Sequence, residues 1–204
     1  MIDSSVRTLL LIRHGQYLAS EDPAVHGGGL TDLGREQAQI TADFCRNLSV
    51  NAIHHSTLKR AVQTAEIIAL SLPDVPVTAS DLLRECVPAV PPREQLSAQW
   101  CEWFDSFGMT SSEFAANAAQ ARKAYRWLFQ NGGERGLEIV VSSGNLISYL
   151  VARAFGAPAK SWIRTRVDLC SITAIAVTSN RGLNPLVQSI GNTEHLPKDL
   201  RLFH

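Results

Sequence analysis

Residues 9–17 read LLLIRHGQY, so four apolar residues run straight into an arginine, a histidine and a glycine. An apolar run of this length reads as a buried strand. A strand that ends in a cation and an imidazole must deliver both to a place where something anionic meets them, because an uncompensated charge is costly to take out of water. In α/β sheets, the carboxyl ends of the strands are where ligands bind. A phosphate there would satisfy both side chains: Arg13 can fork two oxygens, and His14 can offer a ring nitrogen as a nucleophile. On the triplet alone, an exposed loop with an incidental basic pair explains the sequence equally well.

Short apolar, strand-like segments at residues 9–12, 50–54, 75–78, 137–142 and 171–177 are mostly separated by amphipathic stretches. Between residues 31 and 48, Leu33, Ile40, Phe44 and Leu48 fall on one helical face; Ala61, Thr64, Ala65, Ile68 and Leu72 do so in the next helix. A third helix, residues 145–155, stops at Gly156 and Pro158. SNRG, residues 179–182, joins two strands as a hairpin, and Pro185 marks the second as an edge strand. The alternation predicts an α/β fold, a three-layer sandwich with a mostly parallel central sheet flanked by helices. A helical insertion between residues 87 and 130, striped by Leu96, Trp100, Trp103, Phe104 and Phe107 and then by Phe114, Ala118, Ala121, Tyr125 and Leu128, is expected to pack over one edge of the sheet and wall a pocket. With 204 residues, 45% of them hydrophobic, the chain reads as a single domain, residues 1–204.

Three further stretches bear on the Arg-His-Gly triplet. LTDLGREQA, residues 30–38, opens a helix soon after it; HHSTLKRAVQTAEII, residues 54–68, places Arg60 one helical turn beyond a strand; LLREC, residues 82–86, supplies Glu85. Taken together with LLIRHGQY, the pattern Ser56, Arg60, Ala61 and Thr64, and DLLRE, the chain resembles the histidine phosphatase superfamily, also called phosphoglycerate-mutase-like, over residues 9–197. Within it, the Tyr17 context and the LLRE phrasing look most like the mitochondrial serine/threonine phosphatase branch, without a counterpart of that branch's N-terminal membrane anchor. The resemblance implies a phosphomonoester hydrolase in which His14 becomes a phosphohistidine, Arg13 and Arg60 clamp the phosphoryl oxygens, and Glu85 protonates the leaving group and then activates water. No metal or cofactor is implied. Cationic side chains supply the charge that such an in-line transfer needs.

The chain departs from that family at VVSSGNLISYL, residues 140–150, where a second catalytic histidine is normally written SHGN. Here the element reads Ser142-Ser143-Gly144-Asn145, so Ser143 stands in the histidine's place beside Gly144 of the phosphate pocket. A serine hydroxyl is shorter and neutral but still donates one hydrogen bond. Losing one oriented donor costs on the order of 10²–10³ in rate. Two readings stay open: a natural member with weakened or lost turnover, or an inactivated variant of a standard enzyme. A catalytically inactive module that binds a phosphate ligand or phosphoprotein is the alternative; phosphoglycerate mutase proper fits less well, because the insertion is short. His195 and Asp168 read as structural residues.

Composition bounds the partners. Nineteen basic and nineteen acidic residues cancel, so no global field gathers nucleic acid or an anionic membrane, and any anion must be caught locally. A phosphorylated small molecule or a phosphoprotein is the expected partner. No stretch has the length of a membrane span, and the chain reads as cytoplasmic. Cys45, Cys86, Cys101 and Cys170 are far apart and share no metal-ligand spacing, and the adjacent His54 and His55 point to opposite sides of a strand, so no metal site is expected.

Overall fold

The apolar run extends into an eight-residue strand, β1 (Val6–Arg13), whose alternating residues serve two cores. The computed structural model describes residues 6–18, 28–130, 135–178 and 185–202. After β1 follow α1 (Asp32–Cys45), β2 (Val50–Ser56), α2 (Lys59–Leu70), β3 (Val77–Ser80), α3 (Ala98–Ser106), α4 (Ser111–Phe129), β4 (Gly136–Ser142), α5 (Gly144–Ala154), β5 (Ile172–Thr178) and β6 (Leu186–Asn192). The six strands form one sheet in the order β3-β2-β4-β1-β5-β6. β3, β2, β4 and β1 run parallel, while β5 is antiparallel to both of its neighbours, β1 and β6. β6, which Pro185 precedes, is indeed an edge; the SNRG turn before it lies outside the described residues.

Both sheet faces are covered, giving three layers. Leu10, Ile12, Ile53, Ile139 and Val141 pack against Ala42 and Cys45 of α1 and Ala61, Ala65 and Ile68 of α2. Leu9, Leu11, Val140 and Ile175 face the other way, toward Leu146 and Leu150 of α5, Ala121 and Leu128 of α4, and Phe104 of α3. The insertion therefore shares a face with α5 and does not lie over an edge as expected: its small residues Ala121 and Ala124 are fully buried and let α4 sit down on the sheet side.

The face of α1 also differs from the expected one. Its buried residues are Gly34, Gln37, Ala38, Thr41, Ala42 and Cys45, whereas Phe44 is 46% exposed and Leu33, Ile40 and Leu48 are half-buried. The reason is close approach. A Cβ on Gly34 would lie only 1.9 Å from the Gln16 carbonyl oxygen, and one on Gly15 would lie 2.5 Å from the Gly34 oxygen. The helix start is pressed against the loop after β1, and small residues at helical spacing make that contact possible, leaving the larger ones at its flank.

Toward the start of β1, Arg7 forks Glu138 of β4 with Nε and Nη2 (2.6 and 2.5 Å). It also donates Nη1 to the Leu128 carbonyl near the end of α4 at 2.5 Å. His54 of β2 meets the same carboxylate at 3.2 Å and stacks edge-on to Trp127.

Candidate active site

At the carboxyl end of β1 the chain turns sharply between α1 and α2. The His14 N–H donates to the Ser142 carbonyl of β4 (3.0 Å), and the Gly15 N–H donates to Thr64 Oγ1 of α2 (3.2 Å). Thr64 in turn donates to the Arg60 carbonyl one turn earlier (2.8 Å), and Ser56 Oγ accepts the Leu58 N–H that opens α2. The spacing of Ser56, Arg60 and Thr64 thus has a mechanical meaning: it starts the helix, points the arginine and latches the glycine loop.

His14 is 1% exposed. Its Nδ1 lies 2.9 Å from the Gly15 carbonyl oxygen, and its Nε2 lies 2.8 Å from Arg60 Nε. A carbonyl only accepts and a guanidinium only donates, so these two contacts assign the proton to Nδ1 and the lone pair to Nε2. Burial, reinforced by Arg60 and Arg13, holds the imidazole well below its ordinary pKa, against a smaller opposing contribution from the Gly15 hydrogen bond. The ring is neutral at physiological pH and presents Nε2 as a base. Tyr17 sits edge-on to it, with ring centres 5.1 Å apart, and lays its face under Arg60, whose Cζ is 4.5 Å from the Tyr17 centroid.

Arg13, Glu85 and Ser143 close the site from the β4 side. Arg13 donates Nη1 to the Val167 carbonyl (2.8 Å) and packs its guanidinium on Gly144, where a Cβ would stand 3.3 Å from Cζ. Glu85 follows Leu83, whose carbonyl accepts from Ser142 Oγ (2.8 Å). Its carboxylate lies 4.0 Å from Arg60 Nη2 and keeps 35% of its side chain exposed. Burial pushes that carboxyl above its ordinary range, against the pull of Arg60 and Arg13. Ser143, fully buried, is the N-cap residue of α5 but makes no side-chain cap bond. Arg13 Nε, Glu85 Oε1 and Ser143 Oγ are buried and lack hydrogen-bond partners among the described residues. Buried polar atoms are rarely left so, and here they gather beside a helix N-terminus, whose dipole and free N–H groups favour an anion.

All six residues expected at the site are therefore brought to one end of the sheet. His195 is elsewhere, bonded to Thr41 of α1 (3.1 Å) and packed beside Phe44. Asp168 holds a turn through its carbonyl, which accepts from Ser171. Sequence reasoning gave no role to Tyr17 or Thr64, although both lie inside the quoted motifs, and it passed over residues 164–167. That segment lines a cleft of about 720 Å³ that opens from Arg13, Glu85 and Gly144. Among the described residues, no group of three or more His, Cys, Asp or Glu side chains is placed to hold a metal ion.

The model of the histidine phosphatase superfamily (branch 1) matches residues 9–188. The chain belongs to this superfamily. A histidine phosphatase of this kind is an enzyme, and its curated relatives are named for that activity. The chain is 31% identical over 201 residues to serine/threonine-protein phosphatase PGAM5, mitochondrial, of Xenopus laevis, covering 96% of this chain and 68% of the relative. For the same protein of Homo sapiens the identity is 30%, with 96% and 65% covered. The chain thus spans about two thirds of the length of these PGAM5 relatives. Its fold matches alpha-ribazole phosphatase of Shigella flexneri (TM-score 0.68, 23% identity, 91% and 96% covered). Phosphoserine phosphatase of Entamoeba histolytica matches similarly (TM-score 0.66, 22%, 94% and 100% covered). The cytoplasmic location expected from sequence is corrected by the PGAM5-like relatives, which are mitochondrial phosphatases and point to that compartment. No helix among the described residues is long and apolar enough to cross a membrane, and that property carries no address by itself.

Proposed function

We propose that this histidine phosphatase hydrolyses phosphomonoesters through a phosphohistidine on His14, with turnover lowered by Ser143. The observation that carries this reading is the fixed tautomer: Nδ1–H is held by the Gly15 carbonyl and the Nε2 lone pair faces Arg60. An incoming phosphoryl group takes over the Arg60 N–H, which leaves Nε2 free to attack phosphorus in line. The bond to the leaving oxygen breaks, and Glu85, whose carboxyl pKa burial moves upward against the pull of Arg60 and Arg13, gives that oxygen its proton in this reading. Water then attacks the phosphoryl group as Glu85 accepts a water proton, the N–P bond breaks, and inorganic phosphate leaves neutral His14 behind. Arg13 and Arg60 meet the phosphoryl charge throughout, with the α5 N-terminus and the Gly144 backbone behind them. In this reading Ser143 offers a single neutral donor where the family places an imidazole.

The names of the PGAM5 relatives favour phosphorylated serine or threonine in a protein as substrate, with a small phosphoester as the other member of the class. A binding module that keeps the pocket without turnover is supported by one observation, the neutral and unpartnered Ser143 hydroxyl. Acid-labile, alkali-stable label from a radioactive phosphoester separates the two: hydrolysis predicts label on His14, lost in His14→Ala, whose rate falls by at least about 10³-fold. A binding module predicts stabilisation by tungstate, about 2.7 kcal/mol at 100 times its dissociation constant, with no labelled histidine. Activity should withstand EDTA, because the clamp proposed here is made of two arginines.

A further inference from the structure

We propose that Arg164 and Arg166 form a subsite for a second anionic group on the leaving-group side of the substrate. The enzyme would then prefer phosphoesters that carry a carboxylate or further phosphate beyond the scissile bond. The proposal rests on the reading of His14 and Glu85 given above. The cleft that opens past Glu85, the group assigned to the leaving oxygen, continues along Trp100, Trp162, Ile163, Arg164 and Arg166. A leaving group departing toward Glu85 moves into this space, which Glu85 lines while His14, 1% exposed, lies behind it.

The rim is built rather than loose. Thr165 is extended (φ −115°, ψ 130°), and side chains alternate along extended chain. Thr165 and Val167 turn inward while Arg164 and Arg166 are both exposed, about 7 Å apart along the rim. Two carbonyls lock that alternation: Thr165 accepts from Ser148 Oγ of α5 (3.0 Å), and Val167 accepts from Arg13 itself (2.8 Å). Asp168 takes the Nε of Arg166 at 3.0 Å and steadies that guanidinium while offsetting part of its charge. Two indoles also line the cleft: Trp162, anchored to the Ala89 carbonyl (2.7 Å), and Trp100 beside it. Apolar ring surface in the same cleft as two arginines strengthens attraction for an anion relative to open solvent.

Non-hydrolysable pairs test this without needing turnover. By calorimetry, 4-phosphonobutyrate is compared with propylphosphonate. A hexapeptide with a central phosphonate analogue of phosphoserine and glutamate flanks is compared with its glutamine-flanked twin. The expected result is at least about threefold tighter binding for the acidic member of one or both pairs, lost in Arg164→Gln/Arg166→Gln. Preference in the small pair alone identifies a small phosphorylated acid; preference in the peptide pair alone identifies an acidic phosphoprotein segment. Equal binding within both pairs overturns the subsite and leaves the phosphate pocket standing. A preference that survives the double substitution also overturns it. Failure of tungstate and all four phosphonates to bind instead overturns the pocket reading on which it rests.

Discussion

Strand β1 carries an arginine near each end, and the two live in opposite circumstances. Arg7 commits three nitrogens, two to Glu138 and one to the Leu128 carbonyl. Arg13, six residues on, commits Nη1 to the Val167 carbonyl and keeps a buried Nε without a partner among the described residues. The paired carboxylates differ in the same sense. Burial works to raise the Glu138 carboxyl, but hydrogen bonds from His54 and Arg7 outweigh it and hold it down to about 2. Around Glu85 burial wins over Arg60 and Arg13, and the carboxyl moves up. One cluster has closed its electrostatics internally and serves to fasten α4 to the sheet; the other has left its polar atoms open, as a site must if its missing partner is a ligand.

The largest expected effect lies at the open end. Glu85→Gln should lower kcat by about 10²–10⁴-fold while leaving thermal stability close to that of the parent. The pH profile sharpens this. Glu85 acts protonated and its pKa is raised, so kcat/KM should fall as pH rises through that value, and the alkaline limb should flatten in Glu85→Gln. His14, held well below its ordinary value, should set no acid limb near neutrality. The substrate's own second ionisation appears in both proteins and cancels in their ratio. A stable Glu85→Gln protein with parental kcat and profile would remove this carboxylate from the chemistry.

The closed end predicts the converse. Glu138→Gln leaves the buried Arg7 without its counter-charge and should cost about 3–5 kcal/mol of stability, with kcat of the folded fraction unchanged. The carboxyl is held at about 2 against an ordinary 4.5, so its contribution is complete above pH 4.5 and is lost as pH falls from there toward 2. Urea titrations of parent and variant should therefore converge over that window. Parallel stability curves from pH 7 down to 2 would break the contrast between the two clusters.

The legible parts of this molecule were those where chemistry demands a residue type. A cation and an imidazole after an apolar run have few destinations, and Arg60 and Glu85 could be placed because motif spacing puts each just past a strand. The buried face of α1 was not legible: the sequence advertises Leu33, Ile40 and Phe44, whereas the contact with the loop after β1 demands Gly34 by size, and the helix so placed buries Ala38 and Ala42 in the adjoining cores. Hydrophobic periodicity detects affinity for a core and is blind to how near two backbones come. The insertion was placed over an edge for a related reason, because nothing in a stripe of aromatic residues says which side of a sheet it will cover. Tyr17 and the rim at residues 164–167 carry no periodicity at all, and their roles depend on contacts between distant segments.

Ser143 tests the open end more directly. The Ser143 side chain is fully buried, so a histidine must push its neighbours to enter. If it reaches the phosphoryl position, Ser143→His should raise kcat by at least about tenfold. Ser143→Ala supplies the control on packing: it should lower kcat if the hydroxyl donates to the phosphoryl group. No gain from a folded histidine variant together with no loss from the alanine variant would show that this position does not limit the reaction.

The smallest effect concerns how the Tyr17 ring helps to hold the open cluster in shape, beside the long Arg60–Glu85 pair (4.0 Å). The Tyr17 face lies 4.5 Å from Arg60 Cζ and its edge meets His14, so the ring positions the clamp and the nucleophile together while accepting none of their hydrogen-bonding capacity. A cation–π contact of this kind is worth about 0.5–1 kcal/mol at a partly exposed site. Tyr17→Ala should accordingly reduce kcat/KM by roughly three- to fivefold, and Tyr17→Phe, which keeps the face, should restore it. The division between the constants is informative: if the ring orients Arg60 for the transition state, kcat falls more than affinity for tungstate, which Arg13 continues to hold. Equal losses in Tyr17→Ala and Tyr17→Phe would assign the effect to the hydroxyl instead. Parental kinetics in both would mean that Arg60 stays aimed at His14 without help from the ring.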